Sequence, residues 1–294
     1  MINDADLKIL ADREPAASRT LDAIRSLSAL AAELPLPAFL EPVSAVQLQP
    51  KKGGELIGVA ADDLRSWCRH IAFRTRVRLN GIEGAIVHEL ARGQVLPAAI
   101  LLRSHIEAAA LATYCLETLS ECARNDARQP LTDLMYKTLF GTSLNKFAGD
   151  DAYQATAALL SWVETRTIQI TKAIAALDQY INPNGPRGEI AVLYSILCEF
   201  AHPNQRGTLD FASSVPAAGG WMIRYNLSDT GTGRNAAWLL SALLLSMRAG
   251  YSASEMLRAW DFDDGQPAVR WIWPSQQDGD RIWHTIIQPE PGAR

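Results

Sequence analysis

Two stretches decide the fold: Ala98–Leu116, AAILLRSHIEAAALATYCL, and Glu189–Pro203, EIAVLYSILCEFAHP. Each is an apolar run of helical length interrupted by polar groups. The first carries Arg103, His105 and Glu107, the second Tyr194, Cys198, Glu199 and His202. A charge on a helix with a buried face must be paired, exposed or used, because an unpaired buried charge is very costly. The two runs therefore predict packed helices with a polar patch between them.

Working outward, apolar residues recur at helical spacing along most of the chain. Leu21, Ile24, Leu27, Leu30 and Leu34 mark a helix that Ser18 can cap and that Pro35 and Pro37 stop. Prolines 35, 37, 42 and 50 and Gly53-Gly54 mark a connection. A helix starts at Asp62 or Asp63. It either breaks at Asn80-Gly81 or continues to Gly93. Pro97 suits the first turn of the helix carrying Arg103. Further helices are read over 131–147, 151–180 and 187–202, the last ended by Pro203. A short strand is read over 221–227, then a long apolar helix over 234–260. In the tail, AVRWIWP and RIWHTII alternate like strands and suggest a hairpin.

The expected fold is mainly α: a helical bundle with a small C-terminal β-hairpin or extended tail. Residues 1–58 form an N-terminal helix and a Pro/Gly-rich connection, 59–260 the bundle, and 261–294 an aromatic tail packed on it.

Bulk properties narrow the function. The 294 residues are 48% hydrophobic and 20% charged, as in globular proteins. A net charge of -4 argues against a whole-surface nucleic-acid coat but allows a local basic groove. The longest apolar run, Ala236–Met247, is too short to span a bilayer. No secretory h-region opens the sequence, and four cysteines lie without close pairing. Reduced thiols, a cytoplasmic location and no membrane association are expected.

Arg103 and Glu107 are four apart and share a helix face. Ser195, Cys198, Glu199 and His202 cluster on a face of the later helix, flanked by Tyr194. If the helices pack face to face, Arg103 can pair Glu199 and Glu107 can orient His202. Arg65, Arg69 and Arg76 lie along one face of another helix, with Arg74 and Arg78 nearby, and could hold phosphates. A solvated face paired with acids is the simpler reading of that arginine row. Cys198-x-x-x-His202 and Cys68-x-His70 match no common zinc spacing, so neither metal nor cofactor is expected.

The pattern Arg103-x-x-x-Glu107, followed much later by Tyr194-x-x-x-Cys198-x-x-x-His202-Pro203, resembles that of a group of uncharacterised bacterial helical proteins. Ser is more usual where Cys198 stands. More distantly, the pattern resembles the HEPN superfamily of helical bundles. That resemblance implies RNA or a nucleotide as partner, a homodimer, and a metal-independent ribonuclease role in defence or stress response. Its signature, Arg followed four to six residues later by His, is incomplete here: residues 196–201 contain no Arg. Arg103 would have to stand in from another helix. Such chemistry needs a base near a 2′-hydroxyl and a cation at the phosphate, and His202 and Arg103 are of those types. On this reading His202, Arg103, Glu107 and Tyr194 are the catalytic candidates, and Glu199, Cys198, Arg65 and Arg69 the binding candidates. The alternative is a non-enzymatic regulatory or protein-interaction bundle whose polar core is structural.

Overall fold

A computed structural model describes residues 2–33, 61–125, 129–140, 168–183, 188–201, 212–225, 233–263 and 270–272. The protein is mainly α, a helical bundle with two short antiparallel strand pairs among the described residues. The helices are α1 (Asp4–Arg13), α2 (Ser18–Glu33), α3 (Ala61–Ala91), α4 (Val95–Asn125), α5 (Gln129–Phe140), α6 (Ile170–Ile181), α7 (Glu189–Ala201) and α8 (Gly233–Ala259). Strands β1 (Ala212–Ala217) and β2 (Gly220–Tyr225) precede α8, and β3 (Asp261–Asp263) and β4 (Arg270–Ile272) follow it.

Helix α4 is the centre. It packs against α3, α6, α7 and α8. Its run of small residues explains this: Ala98, Ala99, Ala108, Ala109, Ala110 and Ala112 are all buried and let neighbouring backbones come close. Gly250 of α8 exploits the same spot. A methyl group there would lie 2.7 Å from Leu79 Cδ1 and 3.1 Å from Ala109 Cβ. Among the described residues α4 is also the helix long and apolar enough to cross a membrane, and here its buried positions serve a protein core.

Helix α3 runs unbroken through Asn80-Gly81, so the longer of the two sequence readings holds. It stops at a Schellman motif: Gly93, at φ 75°, donates to Leu90 O at 2.9 Å, and Gln94 donates to Glu89 O at 2.8 Å. Antiparallel packing of α3 on α4 creates two apolar clusters. One joins Leu79, Ile86 and Leu90 to Ala98, Leu102 and Leu240. The other joins Leu64, Trp67 and Cys68 to Cys115, Leu119 and Leu257.

The N-terminus differs from the sequence reading. Helix α1 precedes α2, capped by Asn3, whose side chain accepts from the Ala5 N–H at 3.0 Å. Ser18 already has helical dihedrals (φ -54°, ψ -44°), continuing a 3-10 turn over Pro15–Ala17, so it is not an extended N-cap. In the tail, Arg270–Ile272 of the AVRWIWP run pairs antiparallel with Asp261–Asp263. The RIWHTII run, residues 34–60 and residues 151–167 fall outside the described residues.

Candidate functional site

The helices carrying the two decisive stretches are neighbours: α7 packs on α4. Helix α7 is set in place by Asp178 near the end of α6. Its buried carboxylate accepts from the Gly188 N–H at 2.5 Å and the Ile190 N–H at 2.9 Å, satisfying orphan amides at the α7 N-terminus. Ile190 and Leu197 then turn inward, and Tyr194 between them reaches α4.

At that contact three candidate residues meet on one carboxylate oxygen. Arg103 Nε donates to Glu107 Oε1 at 3.2 Å, one turn along α4. The Tyr194 hydroxyl donates to the same oxygen at 2.7 Å. The guanidinium carbon of Arg103 also stands 5.6 Å from the centre of the Tyr194 ring, within cation–π range. The side chains of Arg103 and Glu107 keep 29% and 26% of their exposure, so the cluster sits at the rim of the core. Burial and the adjacent Glu107 carboxylate push the Tyr194 phenol up to about 12. The Tyr194 interaction leads the factors that raise Arg103 further. Both groups therefore keep their protons at neutral pH: a fixed cation beside a neutral phenol. Cys198 lies one turn further along α7 and is half-buried.

Other candidates stand differently. Glu199 is half-buried and has a partner of its own. His202 follows the last residue of α7 and lies outside the described residues. Arg65 and Arg69 do not join the cluster. Leu79 and Ala109 mark one level of the antiparallel pair, since both approach Gly250. Arg69 lies ten residues from that level in one direction and Arg103 six in the other. At about 1.5 Å per residue the two arginines are roughly 24 Å apart along the helix axes.

The arginine row of α3 is also corrected at Arg76, which is neither solvated nor free for phosphate. It is 1% exposed and pairs with Glu255 of α8 at 3.3 Å, while its Nη2 donates to Ala31 O at 3.1 Å. Glu255 is shared with Arg258 at 2.8 Å.

Sequence reasoning missed a second buried polar group. Glu83 accepts from Ser28 Oγ at 2.7 Å and from the Tyr251 hydroxyl at 2.8 Å, and Tyr251 also contacts Asn80. Burial raises the Glu83 carboxyl above its ordinary value. His105 is fully enclosed, 2.8 Å from Ser246 Oγ, and burial lowers its pKa to about 3, so it is neutral. His88 lies on Asp6 at 3.1 Å, a partner that no spacing rule indicated. A polar residue inside an apolar helical run was the available signal for Glu83 and Tyr251, but periodicity does not name the neighbour.

Beside Glu107 a cleft of about 590 Å³ opens between α3, α4, α5 and the start of α6. Arg74, Arg78, Lys137 and Glu107 are among its lining residues. Compared with protein-family profiles, characterised protein sequences and solved structures, the chain matches none.

Proposed function

We propose that this protein binds RNA or a nucleotide at the Arg103–Glu107–Tyr194 cluster, as a HEPN-like protein of defence or stress response. The observation that carries the reading is the arginine itself. Arg103 is held by Glu107 and by the Tyr194 ring, yet keeps more than a quarter of its side-chain exposure. A guanidinium fixed in this way retains donors for a phosphate and loses little rotamer freedom on binding.

Cleavage of RNA is the further step of this reading. It assigns His202, directly after α7, as the base and Arg103 as the cation at the phosphate. The family's local arginine is missing before His202, so on this reading Arg103 supplies that charge from α4.

The test uses a fluorescently labelled single-stranded RNA and a labelled adenine nucleotide, read by anisotropy, with parallel RNA incubations in chelator. Arg103→Ala should weaken binding at least ten-fold while circular dichroism is unchanged. His202→Ala should remove any cleavage but keep binding. Wild-type protein that binds neither probe contradicts the reading.

A second reading rests on a specific observation. Arg103, Glu107 and Tyr194 satisfy one another, as Arg76 and Glu255 do in the core. That is what a network fixing the register of α7 on α4 would look like. Under it the protein is a non-enzymatic regulator, and Arg103→Ala changes stability alone.

A further inference from the structure

The cleft beside Glu107 has the makings of a second site, and it needs no contact with Arg103. Its floor is apolar and sealed: Ile71 is 1% exposed, Ala108 6% and Ala173 1%. Its mouth is cationic. Arg74, Arg78 and Lys137 line it and are exposed, so their charged ends stand where the cleft meets solvent. Arg74 is partly tethered, its Nη1 donating to Thr138 O at 3.1 Å across the gap to α5. Glu107 is the one acid among the lining residues, and its carboxylate is already engaged by Arg103 and Tyr194. Among the described lining residues, then, three are cations and the one acid is already engaged.

The arrangement also has a helical logic. At about 100° per residue, Arg74 is roughly half a turn from Arg65, so it faces away from the Arg65–Arg69 row. The cleft lies on that other side, against α5 and α6. A volume of about 590 Å³ falls within the range of small-molecule sites. An apolar floor and a cationic rim call for a ligand of matching polarity. Burial of a hydrocarbon or ring body supplies the affinity, and the rim cations hold an anionic head in water-accessible, charge-assisted contacts. A neutral apolar ligand would leave the rim charges without a partner, and a cation would meet repulsion.

The geometry points to a binding site for a small amphipathic anion, a phosphate or carboxylate head on an apolar body, held by Arg74, Arg78 and Lys137 over the floor formed by Ile71, Ala108 and Ala173. Its wall shares Glu107 with the α4–α7 contact.

Isothermal titration of the full chain tests this, with octyl phosphate, octanoate and naphthyl phosphate below their aggregation concentrations, against octanol and octylamine. We expect saturable one-to-one binding of at least one anion, at least ten-fold tighter than octanol, with no binding of octylamine. The three anions distinguish phosphate from carboxylate heads and alkyl from aromatic bodies. Arg78→Gln and Lys137→Gln change exposed side chains, so the fold should persist by circular dichroism, and each should weaken the anion several-fold. Leu111→Trp, which fills the cleft from α4, should abolish binding. If that variant unfolds, the charge reversal Lys137→Glu on a folded chain decides the matter. Absence of saturable binding by all three anions overturns the proposal. So does equal affinity for octanol, or affinity unchanged in the folded Arg78→Gln/Lys137→Gln double variant.

Discussion

Arg76 of α3 and Glu255 of α8 form an ion pair at 3.3 Å with side chains 1% and 2% exposed, between residues 179 positions apart in the chain. The pair ties α3 to α8 inside the core, out of reach of solvent. Burial lowers Arg76 from its ordinary value, while Glu255 works to raise it again. Two charges in such a place are tolerated only together.

Removing one member should therefore cost far more than removing both. Arg76→Met is expected to destabilise by about 3–5 kcal/mol, because it leaves Glu255 buried with only Arg258. The double variant Arg76→Met/Glu255→Leu should recover much of that loss. Denaturant unfolding midpoints of the single and double variants check this; additive losses would contradict it.

The Arg103 cluster lies at the rim, and its energetics should be smaller. Arg103→Ala should cost roughly 1 kcal/mol or less, as for a partly exposed i, i+4 pair. Tyr194→Phe removes a hydrogen bond to a carboxylate across two helices and should cost about 1–2 kcal/mol. Urea unfolding of both variants gives the ranking, with Tyr194→Phe the larger loss.

His105 gives the fold an acid weakness. Its folded pKa of about 3 lies below the ordinary 6.5. The unfolded chain therefore binds more protons between those values, and stability falls as pH falls through that window. The slope from this group approaches roughly 1.4 kcal/mol per pH unit in the middle of the window. In His105→Asn, the plot of unfolding free energy against pH should be flatter between pH 6.5 and about 3 than in the wild type. Parallel curves would show that His105 does not titrate in this way.

Gly250 should resist substitution. An added methyl lies 2.7 Å from Leu79 Cδ1 and 3.3 Å from the Ala109 backbone. Leu79 is fully buried and has little room to retreat. Gly250→Ala should cost about 1–3 kcal/mol despite its better helix propensity, with a lower thermal midpoint as the readout.

Much of this was legible before any coordinates. Arg103 and Glu107 are four apart, and helical periodicity alone puts them in contact. Tyr194 could be placed beside the patch because it flanks the polar group Ser195, Cys198 and Glu199 on an otherwise apolar α7. Asn80-Gly81 inside α3 could not be settled locally. Both residues lower helix propensity, and the helix continues because Leu79, Ile86 and Leu90 on either side are buried in one core.

What the amino-acid order determined by itself was most of the helices, α1 excepted, and their apolar faces, because the 3.6-residue repeat of apolar side chains is a local property. It also marked Arg103, Glu107 and Tyr194 as residues in need of partners. Which helix lies against which face was decided only by tertiary packing. Arg65, Arg69 and Arg76 share a face of α3, yet Arg69 is exposed and Arg76 is sealed against Glu255. The difference lies in α8, which covers one part of that face, and periodicity carries no information about a neighbour 179 residues away.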